Sequence, residues 1–398
     1  MKKSNLSFAS KAVYYPPEPA SKSIGTPIYM SSSFQYDAET YQRVVDGERK
    51  TVNIYGRCGN PSEYAFEEQI AAIEGADDCL ATASGMAAIA ITLFGLLKSG
   101  DHIVCDWTTY SSTHEMLDHR LTDYGITTTF VDTADIDAVA NAIQDNTKVL
   151  YFETIANPTM KVPAIKPLVD LAHSKGIVVV CDNTFASPYV IRPLEWGVDI
   201  VLESATKFIG GHNDAIGGTI AMKTGLLPAD FIETIRWNTM VKWGAPLSPF
   251  NAWLLLRGIQ TLDVRLERVC KSALALATYF EAHPKIKRVW YPGLPSHPQH
   301  DVALEQMPKF GGMLTFEVAD GETAVRVLDN LQLATFAASL GGVRTTTQVP
   351  ATMAFLDVPP EQRAAMNISE GMIRVSVGLE GVEDLMTDFD QALVKAVR

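Results

Sequence analysis

Ser204-Ala-Thr-Lys207-Phe-Ile-Gly-Gly-His-Asn-Asp214 follows an apolar run, Val198 to Leu202, that reads as a buried strand. A lysine just past a buried strand, between small hydroxyl residues and a Gly-Gly pair, is oddly placed for a solvated charge. By itself it is an ordinary strand-end lysine in a loop. The sharper reading is an amine in a partly desolvated pocket, whose lowered pKa makes it nucleophilic near neutrality and able to form a Schiff base. Ser204 and Thr206 would then offer hydroxyl donors to a phosphate beside it. The rest of the chain decides between the two readings.

Working outward, Ile177 to Cys181 reads as a strand ending in Asp182. Val149 to Phe152, Thr128 to Val131 and Ile103 to Cys105 read as further strands. Helical text separates them: around Glu115 to Tyr124, and from Ile165 to Lys175 before Gly176. Ser84-Gly85-Met86 opens an apolar helix that runs to Lys98. Asn60-Pro61 starts the first clear helix, with Phe66, Ile70 and Ile73 on one face and Gly75 at its end. Continuous Val/Ile runs alternating with helices predict an α/β fold, with a mostly parallel sheet covered on both faces.

Both ends read differently. Residues 1 to about 60 are rich in Ser, Tyr and Pro without sustained periodicity, and are expected to form an extended arm, either wrapped on a neighbouring subunit or frayed. Beyond about residue 250 the text predicts one long helix, Ala252 to Phe280, and a Pro-rich loop, His283 to Gly311. Half-buried strands at Met313 to Val318 and Ile373 to Val377 follow, then a closing amphipathic helix carrying Leu385, Phe389, Leu393 and Val397. The expected organisation is an arm (1–60), a large domain (61–250) and a smaller C-terminal α+β domain (251–398).

The chain has 398 residues, too many for one small core. Hydrophobic residues at 47% and charged residues at 20% suit a globular enzyme rather than a disordered chain. A formal net charge of −13 disfavours nucleic acid and anionic membrane as partners. No apolar h-region follows the N-terminal lysines, and the longest apolar run, Met86 to Leu97, is too short to span a bilayer. The five scattered cysteines lack metal-ligand spacing, so neither disulfides nor a metal site are expected, and a cytoplasmic location fits.

The polar residues of interest fall at the C-terminal ends of the predicted strands, where ligands of open α/β sheets bind. Gly85 and Met86 open a helix and can cradle a phosphate, although Ser-Gly there is also a plain cap. Tyr110 can stack on a flat ring and transfer a proton, or simply plug a loop. Asp182 can pair with a protonated ring nitrogen, or serve as a turn acid. Asn157 lies in an Asn-Pro turn. Arg374 suits a bidentate grip on a carboxylate, or faces solvent. Tyr55 and Arg57, in Tyr55-Gly-Arg57-Cys-Gly-Asn60-Pro61, can reach a phosphate across a subunit boundary.

In order, YGRCGNPS, ATASGMAAI, DWTTY, ETIANPT, VVCDNTFASP, SATKFIGGHND, AASLGG and IRVSVGLE span nearly the whole chain. This series resembles the Cys/Met-metabolism family of pyridoxal phosphate enzymes, which includes cystathionine γ-synthase, cystathionine γ-lyase and methionine γ-lyase. The resemblance implies the fold-type-I, aspartate aminotransferase-like architecture and a pyridoxal 5′-phosphate cofactor. It implies that Lys207 holds the cofactor covalently, Asp182 pairs with its ring nitrogen and Tyr110 stacks on the ring. Gly85, Met86, Ser204 and Thr206 would bind the phosphate, joined by Tyr55 and Arg57 of an adjacent subunit. Arg374 and Ser339 would bind the substrate carboxylate, with Asn157 near the cofactor's phenolic oxygen. A homotetramer built from dimers is the family expectation.

The chain departs from the family in three places. Ser112 stands where methionine γ-lyases place a cysteine. Ala338 stands where cystathionine-handling members often carry Glu. Arg344 stands where an acid is usual, in Gly341-Gly-Val-Arg344-Thr-Thr-Thr-Gln-Val-Pro350, which implies an altered leaving group unless the loop lacks substrate contact. The expected reaction is γ-elimination from a γ-substituted L-amino acid: methionine, homocysteine, an O-acylhomoserine, or one with a polar leaving group such as canavanine. γ-Replacement, as in a synthase or sulfhydrylase, is the alternative. A cofactor-binding regulator without turnover is more remote. An unrelated dehydrogenase or hydrolase is disfavoured by the lack of GxGxxG and G-x-S-x-G.

Overall fold

In the computed structural model, residues 6–16, 22–48, 52–356, 358 and 360–396 are described. Val397, expected in the closing helix, and parts of the expected arm lie outside them.

Seven strands form the first sheet: β1 (Asp78–Thr82), β2 (His102–Asp106), β3 (Thr127–Val131), β4 (Thr147–Glu153), β5 (Val178–Asp182), β6 (Ile200–Glu203) and β7 (Gly218–Met222). Their order is β1-β7-β6-β5-β4-β2-β3. Pairing from β3 to β6 is parallel, while β7 runs antiparallel to both β1 and β6. Alternate residues of each central strand enter opposite apolar layers. Leu150, Phe152, Val179 and Cys181 pack into one, Val149, Tyr151, Val180 and Ile200 into the other. Burial on both faces explains the unbroken Val/Ile runs. Of the five parallel strands, β2, β4, β5 and β6 end at Asp106, Glu153, Asp182 and Glu203, so these polar ends gather along one edge.

The first helix, Pro61–Glu74, starts as expected: Asn60 Oδ1 accepts from the Ser62 amide at 2.8 Å, and Gly75 ends it at a φ of 71°. The buried carboxylate of Asp106 ties down the loops beyond β2, β3 and β4. It accepts from the Thr108 amide at 2.7 Å, the Thr133 amide at 3.1 Å and Lys161 Nζ at 2.8 Å. Burial alone would push Asp106 up, but the Lys161 charge and these donors hold it below the usual carboxylate range.

The second sheet comprises β8 (Arg288–Trp290), β9 (Met313–Glu317), β10 (Thr335–Phe336), β11 (Thr346–Gln348) and β12 (Met372–Ser376), in the order β10-β11-β12-β9-β8. The helix Leu262–Glu281 packs on β8, β9 and the closing helix Val382–Ala396.

Several expectations are corrected. β1 and β7 were not foreseen. The long helix is two, Pro249–Ile259 and Leu262–Glu281, and the first packs against Pro61–Glu74. The stretch from His283 to Gly311 contains β8 and a helix, His300–Gln306. The arm carries two short helices, Phe8–Val13 and Ala38–Val45, each capped by the preceding Ser7 or Asp37 side chain. Finally, neither C-terminal strand is half-buried: β12 is buried at every position and β9 at all but Glu317.

Candidate active site

Lys207 lies in the turn after β6, where its Nζ donates to Ser339 Oγ at 2.7 Å. Burial, and then the charge of Arg374, lower its pKa to about 8. The turn is fixed from behind by Arg265, a buried guanidinium that donates to the carbonyls of Phe208, Ile209 and Gly258 at 2.8, 3.2 and 2.9 Å. Thr206 is bound into a reciprocal pair with Gly217. Its Oγ1 accepts from the Gly217 amide at 3.1 Å, and its own amide donates to the Gly217 carbonyl at 3.3 Å.

Arg374 comes to the same place from the second sheet. Its NH1 donates to Asn157 Oδ1 at 3.1 Å and its NH2 to the Ser339 carbonyl at 2.9 Å, while Nε has no partner among the described residues. The guanidinium lies over the Phe185 ring, 5.7 Å from its centroid. At 5% exposure Arg374 is not a solvent-facing arginine, and burial lowers its pKa to about 10. Ser339 thus joins the amine to the guanidinium.

Asp182 ends β5. Its Oδ1 accepts from the Thr184 amide at 2.9 Å, and its Oδ2 receives a long contact from the Tyr151 hydroxyl at 3.5 Å. Burial raises its pKa. No cation is paired with it among the described residues.

Ser84 caps the helix Gly85–Leu96, accepting from the Ala87 amide at 3.1 Å. A Cβ on Gly85 would stand 2.8 Å from Ser204 Cβ, so Gly85, Met86 and Ser204 meet where the helix N-terminus approaches the Lys207 turn. Tyr110 precedes the short helix Ser111–Glu115 and keeps 42% of its surface exposed. Ser112 is exposed on that helix. Ala338, Ser339, Thr206, Arg344 and Asp214 line a cavity of about 600 Å³. Arg344 NH2 donates there to Thr335 Oγ1 at 3.3 Å.

Tyr55 and Arg57 show no contact with Lys207 among the described residues. Arg57 donates to the Val241 carbonyl at 2.6 Å and stacks over Tyr55, which is 44% exposed. Conversely, Glu153 was not singled out from the sequence. It ends β4 beside Asp182 in register, and accepts from the Tyr110 amide at 2.6 Å. The only sequence signal was an acid at the end of an otherwise apolar strand.

A family model described as Cys/Met metabolism PLP-dependent enzyme matches residues 10–394. The chain is 43% identical over 374 residues to an L-methionine gamma-lyase of Fusobacterium nucleatum subsp. polymorphum, with 94% of each chain covered. It is 43% identical over 339 residues to the cystathionine beta-lyase MetC of Bacillus subtilis, with 85% of each covered. The crystal structure of metB from Corynebacterium glutamicum superposes with a TM-score of 0.92 at 36% identity, covering 99% of each chain.

Proposed function

The chain belongs to the Cys/Met-metabolism family of pyridoxal-phosphate-dependent enzymes, and from that premise we propose that it cleaves the γ-substituent from an L-amino acid with the residues gathered around Lys207. It is a lyase, and pyridoxal 5′-phosphate is its cofactor. Relatives of this similarity are lyases, which favours γ-elimination over the γ-replacement that the sequence left open.

The residues present fit the cofactor. Asp182 is an enclosed acid without a counter-ion, and a protonated pyridine nitrogen would supply one. The helix N-terminus at Gly85 and Met86, with Ser204 and Thr206 across from it, offers amides and hydroxyls to a phosphate. Lys207 is a desolvated amine suited to hold a carbonyl carbon.

Bound there, the cofactor supplies an electron sink for charge that develops at the substrate's α-carbon. Arg374 would grip the substrate carboxylate, since its Nε is a buried donor without a partner. Ser339 would share that grip. The Lys207 amine would take the α-proton and manage the proton lost from the β-carbon. Tyr110, exposed at the rim, would protonate the leaving group. The single observation that carries this reading is the junction at Ser339, where the proton-accepting amine and the carboxylate grip meet on one residue.

The finer points are proposals too. Tyr55 and Arg57, which show no contact with Lys207 among the described residues, would complete the phosphate site of a neighbouring subunit in a homotetramer. The arm (1–60) would make that contact, with a large domain over 61–250 and a small one over 251–398. Among the described residues no helix is long and apolar enough to cross a membrane, and a cytoplasmic location is proposed. The substrate would be methionine, homocysteine, an O-acylhomoserine or a canavanine-like amino acid. Incubating the holoenzyme with each, without added thiol, should release ammonia and 2-oxobutanoate from at least one. Silence across the panel would sink the γ-lyase reading.

A further inference from the structure

We propose that Glu153 is a positioning residue of this site: its two carboxylate oxygens hold the backbones of Tyr110 and Asn157, and through Asn157 the guanidinium of Arg374. The inference rests on the functional reading above and adds a residue to it.

Glu153 is the last residue of β4, between β2 and β5 in the sheet. The loop after β2 leads to Tyr110, and the loop after β4 leads to Asn157. Glu153 Oε1 accepts from the Tyr110 amide at 2.6 Å and from Thr109 Oγ1 at 3.2 Å. Oε2 accepts from the Asn157 amide at 3.3 Å. Asn157 Oδ1 in turn takes the Arg374 NH1 donor at 3.1 Å, Arg374 NH2 donates to the Ser339 carbonyl at 2.9 Å, and Ser339 Oγ receives Lys207 Nζ at 2.7 Å. One hydrogen-bonded chain therefore runs from the proposed acid, Tyr110, to the amine that takes the α-proton. Glu153 joins the parts contributed by the first sheet, and Arg374 joins these to the second.

The chemistry calls for a carboxylate. When ionised, both of its oxygens only accept, and they face two backbone amides that only donate, with the Thr109 hydroxyl beside one of them. Glutamine would keep one acceptor and turn an NH₂ toward an amide N–H or the Thr109 hydroxyl. The place is otherwise a poor one for an acid. Glu153 is 7% exposed and stands in register beside Asp182. Burial, and then Asp182, push its pKa up to about 8. Because both oxygens are occupied by protein donors, Glu153 acts through Tyr110 and Asn157 and does not exchange protons with substrate.

The test uses holoenzyme carrying E153Q, E153D or T109V. Glu153→Gln inverts one hydrogen bond. Glu153→Asp keeps the charge but is one methylene too short to reach both loops. Two readouts are needed: kcat and KM on an active substrate, and the dissociation constant of L-norleucine, which has no γ-leaving group, from the change in cofactor absorbance. E153Q should keep its cofactor and lose about 10- to 100-fold in kcat, as expected for misplaced catalytic groups. Its norleucine dissociation constant should rise at least fivefold, because Arg374 loses its anchor. T109V, which keeps both backbone bonds, should stay within threefold of wild type on both measures. If E153Q does not hold cofactor, E153D carries the same expectation. A variant that binds cofactor and matches wild type within twofold in kcat and norleucine binding overturns the proposal, as does one that loses only thermal stability. The norleucine titration needs no turnover, so it reports on Glu153 even if the substrate panel is silent.

Discussion

Lys207 Nζ reaches Ser339 Oγ at 2.7 Å, and Ser339 presents that oxygen from a left-handed backbone with φ of 77°. A non-glycine residue in that region costs about 1 kcal/mol or more. Ser339→Gly should therefore keep or raise the melting temperature while removing the hydroxyl. Ser339→Ala should keep the strain and also lose the hydroxyl. Both should lower kcat/KM, and their stabilities should separate in that order. A glycine variant that melts lower than the alanine variant would remove strain from the account.

The second prediction concerns the charge of Lys207. Burial, then Arg374, lower its pKa from the ordinary lysine value to about 8. In cofactor-free protein the amine should react with a small aldehyde, trapped by reduction, at a rate that rises with pH around a midpoint near 8. The sign for stability follows. Between about 8 and the ordinary lysine range the unfolded chain binds the extra proton, so Lys207 makes stability rise with pH across that window. Arg374→Gln removes the nearby positive charge and should move the midpoint upward. An unchanged midpoint would assign the whole shift to burial.

Asp182 should behave in the opposite sense. Its raised pKa means that the folded, cofactor-free chain holds a proton that the unfolded chain has released above the usual carboxylate range. Stability from this group is present at low pH and is lost as pH rises through the raised value. Asp182→Asn should flatten that part of the pH–stability curve. In the holoenzyme the same substitution would remove the proposed partner of the ring nitrogen and should cost about 100-fold in kcat, the scale of a lost preorganised electrostatic contact. Parallel melting and turnover measurements separate the two effects.

Much of this site was legible because its chemistry sits on residue types that are unusual for their places. Asp182 and Lys207 each stand just past an apolar run, and Gly85 opens an apolar helix. Glu153 stood in an equivalent place but makes its contacts to backbone amides, which side-chain spacing does not display. β7 was hidden for a related reason. Gly218 and Thr219 weaken its strand text, yet Gly218 is needed where a Cβ would lie 2.2 Å from the Ser84 carbonyl. Arg374 gave β12 the alternation of a half-buried strand, whereas its side chain turns into the site and is paid for by Asn157 and Ser339.

That close approach gives a fourth prediction. At Gly218 an added methyl meets backbone of the Ser84–Gly85 turn, which cannot swing away. At Gly85 it meets Ser204 less closely, with Cβ at 2.8 Å, Oγ at 3.0 Å and Cα at 3.1 Å. Gly218→Ala should therefore lower the melting temperature of cofactor-free protein more than Gly85→Ala, by an amount in the overpacking range of about 1–3 kcal/mol. Both should weaken cofactor binding, since each displaces the helix N-terminus. Gly218→Ala with unchanged stability and cofactor affinity would contradict the packing argument.

The last prediction concerns the leaving group. Arg344 lines the same cavity as Ser339, Thr206, Ala338 and Asp214, and its hydrogen bond to Thr335 is long at 3.3 Å. On the proposed reading, with the α-carboxylate at Arg374, Arg344 would face the distal end of a γ-substituent. Arg344→Ala should therefore change the ratio of kcat/KM between a polar γ-substituent and methionine by about tenfold, the effect of one charged contact. It should leave norleucine binding unchanged, because that ligand would be held by its carboxylate at Arg374. Ala338→Glu adds an acid to the cavity that Arg344 lines and should move the same ratio toward substrates with a distal ammonium group. Equal loss on every substrate in either variant would mean that the loop shapes the cavity without reading the leaving group.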